Sequence, residues 1–200
     1  MAARRALVER LRVALVDRRF AADIAAVGAV EFALVAPLLL ILYMGGSEAA
    51  VAVTINRKVQ HTANTVNDLI AQTTSLTPDQ VEGIFNISSA VMQPYDTDEL
   101  RIKVTSVYID ATGKASAVWS CSRGMTKDHQ GDTITLPSQF ATSTDSYLMV
   151  AETRYGYTPL GGYGLQTPFD MGETSYLHPR IGTSVSCTDC APPQSCTDAS

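Results

Sequence analysis

Between Asp23 and Glu48 the chain carries one charged residue, Glu31, and the stretch FALVAPLLLILYMGGS (Phe32–Ser47) carries none. With the Ala/Val-rich ends that extend it from Ile24 to Val53, this run is as long as the roughly 20 residues a helix needs to cross the hydrocarbon of a bilayer. A membrane helix over 24–53 is therefore the first expectation. Residues 1–23 hold six arginines (Arg4, Arg5, Arg10, Arg12, Arg18, Arg19) against Glu9, Asp17 and Asp23. A cationic flank stays on the cytoplasmic side of a membrane, because translocating it is unfavourable. The reading is a single-pass protein of the bacterial inner membrane, with its N-terminus cytoplasmic and its C-terminal part periplasmic. Leu7, Leu11 and Leu15 give the basic tail an apolar side suited to lying against anionic headgroups. A cleaved secretory signal fits less well, since Glu31 interrupts the front of the run and the run is long for a signal core.

The net charge is −5 in spite of the basic tail, so the remainder is acidic. Phosphate binding needs clustered Lys and Arg, and the one such cluster is explained by topology. Nucleic acid is excluded as a partner.

Helical periodicity continues beyond the apolar run. Ile55, Val59, Ala63, Val66 and Ile70 recur at three- and four-residue steps, while Arg57, Lys58, Gln60, Asn64, Asn67 and Asp68 occupy the other faces. No Gly or Pro falls between Ser47 and Ser75. One helix from about Ile24 to Thr73 is expected, half in lipid and half lying on a domain, with a kink near Pro37 where a hydrogen bond is lost. A second helix is expected at Pro78–Ala90: Thr77 can cap it, Pro78 suits the first position, and Gln80 completes a capping box.

From Glu99 the period changes to two. In LRIKVTSVYID, Leu100, Ile102 and Val104 alternate with Arg101, Lys103 and Thr105, the pattern of a half-buried strand. Asp110–Gly113 reads as a turn, KASAVWS as the returning strand, and Ser146–Tyr157 as a third strand. Thr158–Gly182 is dense in Gly, Pro and Tyr and reads as loop with room for one last strand. The class is α+β: a long N-terminal helix packed on a small antiparallel sheet, with an exported domain over 54–185 and a flexible cysteine-bearing tail over 186–200.

Cys121, Cys187, Cys190 and Cys196 all follow the membrane run, in the part expected to meet an oxidising compartment. Three complete pairings are open to them. With no cysteine before Cys121, a bridge from Cys121 to one of the tail cysteines is expected, with a second bridge closing the tail. Cys187-Thr-Asp-Cys190 lies in a Ser/Pro-rich segment rather than at a helix start, so a structural disulfide is favoured over a redox site. His61, His129 and His178 show no paired ligand spacing, and phosphate loops, nucleophile elbows and histidine–carboxylate constellations are lacking. The sequence reads as a non-enzyme without catalytic, metal or cofactor residues.

Glu31 is the residue most in need of an explanation, because a carboxylate near the start of a membrane helix is costly. Its context, Val30-Glu31-Phe32-Ala33-Leu34 after a Gly/Ala-rich stretch and before Pro37 in a Leu-rich run, resembles the TadE/TadG family of pilus-assembly proteins. Arg57-Lys58-Val59-Gln60 and Asn67-Asp68-Leu69 are similar to the family as well. The resemblance covers residues 18–73. It implies a minor pilin or pseudopilin of a tight-adherence pilus, with pilin subunits, other pilus-assembly proteins and the lipid bilayer as partners, and Glu31 and Phe32 as assembly residues. It also implies a prepilin peptidase as a candidate partner. Counting back from Glu31 places that enzyme's cut between Ala26 and Val27. The family pattern has glycine before the cut, where this chain has Ala26, so an uncut protein is expected. A single-pass protein whose exported domain binds a ligand or protein partner is the alternative.

Overall fold

The computed structural model describes residues 24–140, 143–159, 169–190 and 196. The basic segment 1–23 lies outside the described residues. Two compact units divide at Ala49/Ala50.

Helix α1 runs Ile24–Ala71 and passes through Pro37 without interruption. Pro37 lacks the N–H that would bond the Ala33 carbonyl, a loss that a helix can absorb when its other bonds are kept. Among the described residues the first unit is the apolar part of this helix, and from Val27 to Ser47 every residue but Ala36 is exposed.

The second unit is α+β, as the periodicities predict. It begins with the last part of α1, followed by β1 (Ser75–Leu76), α2 (Pro78–Ser89), β2 (Leu100–Ile109), β3 (Ala115–Arg123), β4 (Ser146–Tyr157), β5 (Phe169–Leu177) and β6 (Ser186–Cys187). Among the described residues the main sheet is antiparallel with order β3-β2-β4-β5. Sequential hairpins account for two of its pairings. A bulge between Ser106 and Val107 in the β2–β3 pairing lets two residues of β3 oppose one of β2.

One face of the sheet packs on α1. Ile55, Val59, Val66 and Ile70 of the helix join Ile102 and Val104 of β2, Trp119 and Cys121 of β3, and Met149, Ala151 and Tyr155 of β4 in the main core. Helix α2 adds Val81 and Phe85. Its start is built as the sequence predicts, with Thr77 and Gln80 forming a reciprocal capping box and Pro78 in the first turn. Lys58 of α1 holds the other end, donating to the Val91 and Gln93 carbonyls at 2.9 Å each.

The opposite face carries a second core. Val107, Ile109, Ala115 and Leu148 pack with Ile134, Leu136, Phe140, Val150 and Tyr176. Periodicity gives no sign of this strap over 124–140. It is held by single backbone contacts to β3, such as Ile134 N–H to the Ala115 carbonyl at 3.0 Å, rather than by a strand of its own.

Ser186–Cys190, assigned from sequence to the tail, belong to this architecture. β6 pairs in parallel with β1, Trp119 Nε1 donates to the Val185 carbonyl at 2.8 Å, and Cys190 is buried in the main core. Backbone hydrogen bonds draw them in: the Ser186 N–H reaches the Thr74 carbonyl and the Thr188 N–H the Leu76 carbonyl.

Candidate functional site

The first candidate surface is the exposed apolar part of α1. Ten Leu, Ile, Val and Phe side chains between Val27 and Leu42 stand exposed, with Phe32 and Leu34 each at 74%. Transfer into a membrane contributes about 0.5 kcal/mol for each, or about 5 kcal/mol together, against a cost of about 3 kcal/mol for one carboxylate at the bilayer centre and less near its edge. The helix is long and apolar enough to span a membrane with Glu31 in place. Glu31 and Glu48 stand 17 residues apart, about 26 Å along a helix, whereas the hydrocarbon is about 30 Å thick. A bilayer spanned by this helix therefore holds at least one of the two carboxylates at or below its hydrocarbon edge. Phe32 is exposed beside Glu31, and Val27 is 49% exposed. Ala26 lies in the first turns of α1. The expected peptidase cut would thus fall within helix.

The second candidate is the clasp around the C-terminal end of α1, where the segment after β5 closes over the helix. The Arg180 backbone N–H donates to the Ala71 carbonyl at 2.8 Å, capping the last turn, and the Arg180 side chain pairs with Asp68 at 2.5 Å. Asn67, one residue before Asp68, is fully buried. Its Nδ2 donates to the Met149 carbonyl at 3.1 Å and to the Ser175 carbonyl at 2.8 Å, and Ser175 Oγ donates to Asn64 Oδ1 at 2.8 Å. One helix face thereby holds β4 and β5 together.

The cysteines complete the clasp. Cys121 and Cys196 lie at disulfide distance with Cα atoms 4.9 Å apart, and Cys187 and Cys190 likewise with Cα atoms 5.5 Å apart. The sequence expectation of a Cys121–tail bridge and a tail-closing bridge corresponds to this arrangement. Sγ atoms of Cys121, Cys190 and Cys196 fall within 4.8 Å of one another, but bridged sulfurs are not the thiolates a metal requires. No histidine joins the cluster among the described residues.

On the strap-covered face of the sheet, Lys103 lies 3.3 Å from Asp128 and 3.2 Å from Glu152, and Arg154 pairs with Glu152 at 2.7 Å. Asp128 also accepts from Thr105 at 2.6 Å. Burial alone would raise the Glu152 pKa, but Arg154 and Lys103 outweigh it and the carboxyl sits below the usual glutamate value. A groove of about 650 Å³ opens between the end of α2 and the β2–β3 edge, lined among others by Asn86, Gln93, Asp98, Arg101 and Arg123. Arg123 is already held by Glu82 and Asn86 and stacks over Phe85, and Arg101 pairs with Asp170. These arginines brace the walls rather than await an anion.

Glu31 and Phe32 belong to the first unit and the cysteines to the second. Sequence reasoning missed the roles of Asn67, Lys58 and Arg180. By spacing, Asn67 and Lys58 fall on the polar faces of the helix, and the available signal is an Asn and a Lys on a helix that also carries a complete apolar stripe.

Residues 26–66 match the family model described as TadE-like protein. No curated protein and no solved structure matches the chain. The match bears out the TadE/TadG resemblance where Glu31, Phe32, Pro37 and Lys58 stand. It stops one residue before Asn67, so the sheet, the clasp and the cysteines lie beyond it. The family is one of pilus assembly, structural rather than enzymatic.

Proposed function

Taking the TadE-like helix as premise, we propose that this chain is a membrane-anchored minor pilin or pseudopilin-like subunit for assembly of a tight-adherence pilus. It sits in the bacterial inner membrane with residues 1–23 cytoplasmic and the α+β unit periplasmic. The observation that carries this reading is the apolar first part of α1, exposed from Val27 to Ser47 but for Ala36 and bearing Glu31 inside the segment that matches the family. An uncovered apolar helix needs lipid or other helices around it. A carboxylate within it favours a cationic partner, since an unpaired buried charge costs several kcal/mol. In pilin-like subunits that partner is often a neighbour's new N-terminal amine. With Ala26 preventing the cut, this chain forms no such amine, and Glu31 pairs with a processed subunit beside it.

The test is Glu31→Gln at matched protein level. The variant is expected to insert and fold normally but to lower the count of surface pili, with Glu31→Asp milder. Normal piliation would reduce Glu31 to a tolerated interfacial carboxylate. Intact mass of the purified chain should retain residues 1–26.

A second reading, a single-pass protein whose exported domain binds a ligand or partner, draws on the groove between α2 and the β2–β3 edge. Genes for a secretion ATPase and pilins beside this one would favour the first reading.

A further inference from the structure

The two cysteine pairs are not independent. Cys190 Sγ lies 3.4 Å from Cys121 Sγ and 3.6 Å from Cys196 Sγ, so it touches both sulfurs of the other pair. Cys121 and Cys190 are each 1% exposed, whereas Cys187 and Cys196 are half-buried. This contact is side-on, and opening the Cys187–Cys190 bond frees the Cys190 side chain to turn into line with the Cys121–Cys196 bond, the approach that exchange requires.

We propose that Cys190 is an exchange sulfur: when the Cys187–Cys190 bridge opens, the bond tying the C-terminal segment to β3 passes between Cys196 and Cys190. The steps balance. A thiolate of an external dithiol attacks Cys187 Sγ, the more accessible sulfur of its pair. A mixed disulfide forms, the Cys187–Cys190 bond breaks, and its electron pair stays on Cys190. The Cys190 thiolate attacks Cys121 Sγ, forming Cys121–Cys190 and expelling Cys196 as a thiolate. The second sulfur of the dithiol then attacks the mixed disulfide, releasing Cys187 and leaving as the oxidised cyclic disulfide. Two electrons have entered the protein, which now holds one bridge and the thiols of Cys187 and Cys196.

The device keeps the clasp shut. Cys121–Cys196 closes a separation of 75 residues and Cys121–Cys190 one of 69, so the loop constraint is nearly unchanged. A single reduction therefore costs the local staple at Cys187 but not the tether between β3 and the C-terminal segment. The thiols left behind are the two half-buried cysteines, Cys187 and Cys196. As exchange runs through the thiolate, its rate falls as pH is lowered.

The experiment uses the full chain in detergent. One equivalent of dithiothreitol is added at pH 8, exchange is quenched by acid, thiols are alkylated and the modified sites are located by tandem mass spectrometry. The expected label is on Cys187 and Cys196, with Cys121 unlabelled. Label confined to Cys187 and Cys190 would show a bridge that opens without exchange and would overturn the proposal, as would label on Cys121. In Cys187→Ser, which needs no reductant, alkylation should divide between Cys190 and Cys196, each receiving at least a tenth of the total. Label on Cys190 alone would be decisive against it.

Discussion

Asn67 shows how much one buried polar side chain can organise. It sits on the helix stripe that faces the sheet, and its amide bonds carbonyls on two strands, β4 and β5. Replacing it by alanine leaves those carbonyls short of a donor and opens a small void. The cost of such unsatisfied buried groups is about 1–3 kcal/mol. Asn67→Ala should therefore lower the unfolding midpoint of the detergent-solubilised chain, and a change below about 0.5 kcal/mol, the scale of a neutral surface substitution, would deny Asn67 this role. Glu152 makes a different demand, on pH. Its folded pKa is lowered, so its pairing with Arg154 and Lys103 contributes stability above the unfolded glutamate value and loses it as pH falls through the folded one. Between pH 5 and 3 the wild-type melting temperature should fall further than that of Glu152→Gln. Parallel curves would show that the Lys103 network is indifferent to this proton.

At the scale of elements, α2 is a helix whose start is written locally. Thr77 accepts from the Gln80 N–H and Gln80 Oε1 accepts from the Thr77 N–H at 2.9 Å. Helix α2 supplies Phe85 and Val81 to the main core, so fraying at its first turn reaches the core. Thr77→Ala should destabilise the chain by about 1 kcal/mol, read by thermal unfolding, and Thr77→Ser by less. The β2–β3 hairpin is equally local. Asp110 Oδ1 accepts from the Thr112 and Lys114 N–H groups, and Gly113 takes the positive φ of 83° that closes the turn. By contrast, β1 and β6 are two residues each and exist because they find one another.

At the scale of the whole molecule, the division at Ala49/Ala50 separates a unit that exposes its apolar side chains from one that buries them. The first requires lipid or neighbouring helices, and the second is a conventional core. That contrast, with the arginines of residues 1–23, predicts orientation. A phosphatase fused after Ser200 should be active only if the C-terminus is exported, and a cytoplasmic reporter at the same site should then be silent. The opposite pattern would invert the topology and remove the oxidising setting that the cysteines call for.

Periodicity alone determined the elements whose signals are local. These are α1, from its unbroken apolar stripe; α2, from Thr77, Pro78 and Gln80; and β2, β3 and β4, from alternation and the Asp110–Gly113 turn. The membrane run and Glu31 were equally legible, because lipid reads length and charge along a single helix. The tertiary structure decided what depends on residues far apart in sequence. It placed β5 beside β4 within a Gly- and Tyr-rich stretch, where alternation is weak because half of each pair is supplied by the partner strand. It folded the 124–140 strap over the second core through isolated backbone contacts, which leave no periodic mark. It drew Ser186–Cys190 into the main core through β1 and Trp119, although their composition reads as tail. It also chose among the three cysteine pairings by setting Cys196 beside Cys121 and Cys187 beside Cys190. Spacing cannot supply that choice, because sulfurs bond according to distance in space.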